Sequence, residues 1–222
     1  MTPAKGSAKP PSKSARRPSY HHGDLRQALV VEASRVLEAE GPDGISLRAL
    51  ARSLDVSHGA PAHHFADRNE LLFEIAADGY EALADGLTAV LDRLGVPDDP
   101  EKFFVETGLA YVDAALASPQ RFRLMFGCST PPGVALTEIQ ERLVTESSRA
   151  YRTLLLIAHR NDVEAVDRID PSSYQMAVAE FTIWSMVHGA ATLYIDGSLA
   201  VDEAGFRTLL QEMLSQWGKL QA

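Results

Sequence analysis

An all-α protein is expected from this chain, on three observations. Apolar residues recur at the three- and four-residue spacing of a helical stripe through most of the sequence. No convincing strand appears among them. Pro100, Pro119 and Pro171 each stand where such a stripe begins, and proline costs little there because the first N–H groups of a helix lack partners anyway. With 45% hydrophobic and 23% charged residues in 222, the composition is that of an ordinary globular protein.

The elements follow in order. Residues 1–19 combine Pro, Ser and Ala with Lys5, Lys9, Lys13, Arg16 and Arg17 and carry no acid. They are expected to form a disordered basic arm, either a solvated tail or a supplementary contact to phosphate or the minor groove. From Asp24, an expected N-cap, Leu25, Ala28, Leu29, Ala33, Val36 and Leu37 make an amphipathic helix that Gly41-Pro42 stops. Ser46 is placed to cap a second helix striped by Leu47, Leu50, Ala51 and Leu54. The chain then breaks at Asp55-Val56, and Ser57 is a ready cap for a short third helix with Pro61 and Phe65 turned inward. Two short helices joined by a tight turn are the layout that inserts a helix into the DNA major groove. Residues 20–66 are therefore expected to be a compact helix-turn-helix DNA-binding domain.

Asp67, with Glu70 three residues on, has the form of a capping box. It opens a long helix striped by Leu72, Ile75, Leu83, Leu87, Val90, Leu91 and Leu94, ending at Gly95-Val96-Pro97. Such a helix links two regions mechanically, so the second domain, residues 67–222, joins the first inside a helix and not through a linker. Further helices are expected at about 100–117, 119–126, 134–160, 171–195 and 202–220, about nine in all.

Charge is segregated. Residues 1–70 carry 10 Lys and Arg against 8 Asp and Glu, whereas residues 71–222 carry 11 against 22, for a net −9. An acidic body repels DNA, so contact should be confined to the front of the chain. The single Cys128 excludes an internal disulfide framework and suits a cytoplasmic protein. No apolar segment follows the N-terminal charges as in a secretory signal. The most apolar stretch, 172–195, is interrupted by Gln175, Glu180 and His188 and reads as buried helix, not a membrane span.

Residues 20–80 resemble the DNA-binding domain of the TetR family of transcriptional regulators. The likeness is carried by Gly44-Ile45-Ser46-Leu47-Arg48, by Val56-Ser57-x-Gly59 and by His64-Phe65-x-x-Arg68-x-x-Leu71-Leu72. The C-terminal part resembles the subgroup with a Trp-His-Gly signature, here Trp184, His188 and Gly189, preceded by Pro119-x-x-Phe122-Arg123-Leu124-Met125-Phe126-Gly127. The resemblance implies a homodimer on a palindromic operator, a repressor that a small apolar or aromatic molecule releases. The chain departs from the family at Pro61 and Ala62, where a large aliphatic residue and a tyrosine are usual.

On the DNA side, His58, Gly59, Ala62 and His63 should project outwards from the third helix. His63 can donate to base or phosphate acceptors, Ala62 can meet a thymine methyl, and Gly59 lets the backbone approach. By resemblance His64 contacts phosphate. Arg48 and Arg68 should hold phosphates and set register, with Ser46 and Ser57 at the two helix starts completing the set. One short helix cannot specify a site alone, so two copies on an inverted repeat of double-stranded DNA are expected. Helix 171–195 carries one charge, Glu180, and is apolar nearly all round, with Phe181, Trp184, His188, Ala191 and Ile195 on one face and Ile183, Val187, Ala190 and Tyr194 on another. Together with 202–220 it should form a four-helix interface between subunits.

Tyr111, Phe122, Met125, Phe126, Trp184 and His188 are the candidate effector contacts, chiefly through the resemblance. Neither a cofactor nor a metal is expected. His63 and His64 diverge by about a hundred degrees on a helix, and His21-His22 has no third ligand at a metal spacing. Catalysis is not expected either, since Cys128 has no His or Asp partner in the local sequence and no phosphate loop is present. The alternative to a regulator is a helical sensor or adaptor that has lost DNA binding.

Overall fold

The computed structural model describes residues 22–128, 130, 135–169 and 175–221; the expected basic arm and the helix start at Pro171 lie outside them. All regular structure among the described residues is helical. Helix α1 (His22–Glu40) starts two residues before the expected Asp24 cap and stops at Gly41, whose φ of 75° suits glycine. A 3-10 turn, Pro42–Gly44, leads to α2 (Leu47–Ser53). Ser46 is the N-cap residue of α2 by position, yet its side chain makes no capping bond. Asp55 closes α2 at a φ of 52°, which lets the Val56 N–H reach the Ala51 carbonyl at 2.9 Å.

The third element corrects the expectation. It is one 3-10 turn, Ala60–His63, with Gly59 and not Ser57 at its N-cap. In an α-helix capped by Ser57, residue 61 would donate to the Ser57 carbonyl, and Pro61 has no N–H to give. The bonds therefore shorten to three-residue spacing, Ala60 N–H to Ser57 carbonyl at 3.0 Å, Ala62 to Gly59 at 3.2 Å and His64 to Pro61 at 2.9 Å, and the four-residue spacing returns only at Phe65, whose N–H also meets the Pro61 carbonyl at 3.0 Å.

Helix α3 (Arg68–Leu94) is capped by Asp67, which accepts the Glu70 N–H at 3.0 Å. Glu70 reaches back to the Ala66 N–H at 2.7 Å, one residue earlier than a capping box requires. Helices α4 (Pro100–Ala117) and α5 (Pro119–Gly127) begin at the expected prolines. Helix α6 (Glu138–Ala158) begins at 138, later than the expected 134, because Thr137 and Gln140 build a capping box there. It ends where Arg160 and Asn161 take φ of 54° and 63°, and a short α7 (Val163–Asp167), absent from the expectation, follows on an Asp162 cap. Helix α8 (Val178–Ile195) starts seven residues after 171, and α9 (Glu203–Leu220) starts on an Asp202 cap.

Two cores share α3. Leu71, Leu72 and Ile75 close the first, with Leu29, Leu37, Leu50 and Phe65. Ala76, Leu83, Leu87 and Leu91 belong to the second, with Phe103, Phe104, Phe206 and Leu214. Beyond packing, two polar joints tie the cores. Glu38 at the end of α1 accepts the N–H groups of Gln120 (3.1 Å) and Arg121 (3.0 Å), so it satisfies the free N-terminus of α5. Arg142 of α6 meets Glu74, Asp78 and Glu81 of α3 at 3.2, 2.7 and 2.6 Å, and Glu74 also takes Arg26 of α1 at 2.6 Å. The acids at 74, 78 and 81 share one face of α3 by their spacing, so three helices converge on a single stripe.

The inner face of α8 is Glu180, Ile183, Val187 and Ala191. This corrects the expected division, since Phe181 points outwards at 58% exposure and Trp184 and His188 flank the core half-buried. Glu180 is buried because both its oxygens are used: His159 Nε2 lies 2.9 Å from one and the Ala177 N–H donates to the other at 2.7 Å. No helix among the described residues is long and apolar enough to cross a membrane.

Candidate functional site

The residues expected to face DNA lie in and around α2 and the 3-10 turn. Pro61 and Phe65 are buried in its core, which leaves His58, Gly59, Ala62 and His63 exposed on the opposite side of the 3-10 turn. Ser46, Arg48 and Ser57 are also exposed, and Arg48 makes no ion pair among the described residues. His64 is half-buried. Arg68 sits elsewhere in the network than the sequence implied. Its guanidinium donates to the Pro42 carbonyl and lies 3.3 Å from Asp43, so it straps the start of α3 to the turn between α1 and α2. That turn sets where Ser46 and Arg48 stand.

The candidate effector residues divide between two hollows. Tyr111, Phe126 and Trp184 line a cavity of about 180 Å³ bounded by α3, α4, α6 and α8. Phe122 and Met125 line a separate cleft. His188 lies behind the cavity wall, with Nδ1 3.0 Å from the Tyr111 hydroxyl and its ring edge-on to Phe126 at 4.4 Å. Burial pushes the Tyr111 phenol up, so it keeps its proton.

Sequence reasoning missed Tyr80, Thr107 and Tyr151 on the cavity wall. Leu83 and Leu87 follow Tyr80 by three and seven residues on a stripe already recognised, so helical spacing could have added it. The polar groups that line the cavity are largely spent within the protein. The Tyr80 hydroxyl, whose pKa burial raises to about 12, donates to the Met125 carbonyl at 2.9 Å. Thr107 donates to the Phe103 carbonyl at 2.8 Å and Ser147 to the Val144 carbonyl at 3.0 Å. No charged side chain among the described residues lines the cavity. An engineered cavity of about 150 Å³ accepts benzene, so a single neutral ring is the matching size.

Burial holds His188 below the ordinary imidazole value, so folding favours the neutral ring. The unfolded chain gains a proton near pH 6.5 while the folded chain resists it. The stability His188 contributes is thus complete above that pH and is lost as pH falls through its folded-state value. Denaturant midpoints from pH 8 to 5 are expected to drop on the acid side, and H188Q should flatten that drop. An acid limb unchanged in H188Q would assign it to other groups.

Comparison with known proteins agrees with this architecture. The family described as bacterial regulatory proteins, tetR family, matches residues 29–75, and the one described as tetracyclin repressor-like, C-terminal domain, matches residues 104–216, just over half of the chain. An HTH-type transcriptional regulator of Mycobacterium tuberculosis, Rv1816, is 26% identical over 195 residues, spanning 79% of this chain and 83% of that protein. A Rhodococcus sp. RHA1 protein of unknown function superimposes with a TM-score of 0.67 at 30% identity, over 90% of this chain and 98% of that one. The TetR family transcriptional regulator PfmR from Thermus thermophilus shares the fold with a TM-score of 0.55 at 20% identity, over 86% of this chain and 95% of that one.

Proposed function

The chain belongs to the TetR family of bacterial regulatory proteins and is a DNA-binding transcriptional regulator; on that premise we propose that it is a cytoplasmic homodimeric repressor, released from an inverted-repeat operator by a small neutral effector. One observation carries the proposal. A single helix, α3, closes the DNA-binding core with Leu71 and Ile75 and walls the cavity with Tyr80, Leu83 and Leu87. A ligand that fills the cavity presses on the same rigid rod that seats the 3-10 turn. A coupling of about 1–3 kcal/mol is enough for a useful switch.

The exposed residues Ser57, His58, Gly59, Ala62 and His63 supply the base contacts, with His58 and His63 as donors and Ala62 as an apolar contact. Arg48 supplies a phosphate contact, and Arg68 acts by holding the turn that aims it. The cavity's uncharged wall supports an apolar or aromatic effector, with Tyr111, Phe126 and Trp184 touching it and Phe122, Met125 and His188 backing that wall. The outer side of α8, with Val178, Phe181 and Leu193 exposed, and the exposed Leu209 and Leu220 of α9 support dimerisation through these helices.

Binding to the DNA upstream of its own gene, titrated across a salt series, tests the DNA half. Arg48→Ala is expected to reduce the log–log salt slope by about 0.9 per phosphate contact removed in each subunit. Arg68→Ala is expected to weaken binding through the loosened turn while the slope stays closer to the parent's. Equal slopes for R48A and the parent would remove Arg48 from the interface. The same titration with a panel of neutral one-ring compounds tests release, and affinity unchanged across the panel would refute the proposed effector class.

A further inference from the structure

We propose that the cleft between α3, α4 and α5 is a second ligand site, distinct from the effector cavity, which takes a small carboxylate with an apolar body on Arg121. The cleft holds about 190 Å³ and is walled by Ala82, Leu83, Ala114, Ala117, Phe122 and Met125. Among the described residues, Arg121 is the one charged residue that lines it.

The guanidinium is incompletely used. One terminal nitrogen donates to Ser118 Oγ at 2.7 Å, while Nε is buried without a partner. The guanidinium charge is thus met by one neutral hydroxyl and by no carboxylate among the described residues. The body of the protein has twice as many acids as bases, and most of its described arginines meet a carboxylate. Arg48, Arg52 and Arg160, which like Arg121 form no ion pair among the described residues, are all exposed; Arg121 alone of the four is partly buried. Glu38 accepts the backbone N–H groups of Gln120 and Arg121, and forms no ion pair with the guanidinium.

Shape fits the same chemistry. Gly79 has no side chain to block the cleft wall: a Cβ there would lie 2.6 Å from Met125 Sδ and 3.2 Å from Arg121 Cδ. A guanidinium makes strong charge-assisted hydrogen bonds to a carboxylate through its terminal nitrogens. One cation within apolar walls suits a monoanion with an apolar body, whereas a phosphate dianion would lose its hydration for too few donors. The volume is close to the roughly 150 Å³ that accommodates benzene, so benzoate is a fitting probe.

The two hollows share a wall. Leu83 lines both, and the Phe122 ring packs edge-on against Tyr111 (5.9 Å) and Phe126 (5.0 Å) of the cavity. An acid in the cleft would therefore bear on the cavity and, through α5, on the Glu38 joint to α1.

Calorimetric titration of the full chain with benzoate and with benzamide, its neutral isostere, tests the site without DNA. Benzoate is expected to bind about tenfold tighter than benzamide or better, as a charge-assisted pair with an arginine predicts. Arg121→Met should abolish that preference. Ala82→Phe, which fills the cleft from α3 and leaves Arg121 intact, should abolish benzoate binding and covers the case in which R121M fails to fold. Equal affinities for the two probes, no benzoate binding, or a preference that survives in R121M or A82F would overturn the proposal. None of these results bears on operator binding, so the regulator function is judged separately.

Discussion

Glutamates at Phe181 and Leu193 are expected to leave each subunit folded and to convert the protein to monomers. Both side chains lie on the outer side of α8, at 58% and 49% exposure, so neither substitution opens a hole in the core. The core face of the same helix, Ile183, Val187 and Ala191, is untouched. In a dimer closed by α8 and α9, however, four added carboxylates would be buried face to face without cations. Burying an unpaired charge costs several kcal/mol, which outweighs the apolar contact of one helix face. Once the subunits separate, each half-site must be held independently, and affinity for an inverted repeat should fall by about a hundredfold or more. Sedimentation, circular dichroism and operator titration read the three effects. A folded double variant that still sediments as a dimer would move the interface elsewhere.

Gly218→Ala is expected to destabilise the fold by about 1–3 kcal/mol, although alanine is the better helix former by about 1 kcal/mol. The sign is decided by what the new methyl meets. A Cβ on Gly218 would lie 2.4 Å from the Glu101 Cα and 3.0 Å from both the Glu101 nitrogen and the Pro100 oxygen. These are backbone atoms at the start of α4 and cannot rotate aside, so α9 must lift away from α4. For a chain of this size, the melting temperature should fall by roughly 2–12 °C. Gly86→Ala in α3 is the matched control. Nothing lies within 4 Å of its added methyl, so it should gain about 0.5–1 kcal/mol. If G218A melts as high as G86A, the α4–α9 contact is looser than described.

How much was legible in the chain differs from element to element. Asp67, Pro100, Pro119 and Asp202 mark helix starts within a residue or two, because capping is a local event between neighbours in sequence. The apolar stripe of α3 and the buried pair Pro61 and Phe65 were likewise readable from spacing. The form of the recognition turn was not. Pro61 was noticed, but one missing N–H removes the four-residue bond and shortens the whole element, and Ser57 loses its place as cap. Helix α7 was missed because five residues show no period.

Sequence alone determined that the chain is all-helical, that a DNA-binding unit stands at its basic end, and that one long helix joins it to an acidic body. Those properties rest on period, caps and charge, which act over a few residues. Tertiary structure alone decided that Arg68 holds a turn, that Glu38 satisfies the start of α5, and that Tyr80 and Tyr111 share a cavity while Phe122 and Met125 face another. Each of these joins residues 26 or more positions apart in the chain or depends on which side of a packed helix a ring is turned. Such pairings are selected by the packing of whole helices against each other, and no local pattern encodes them.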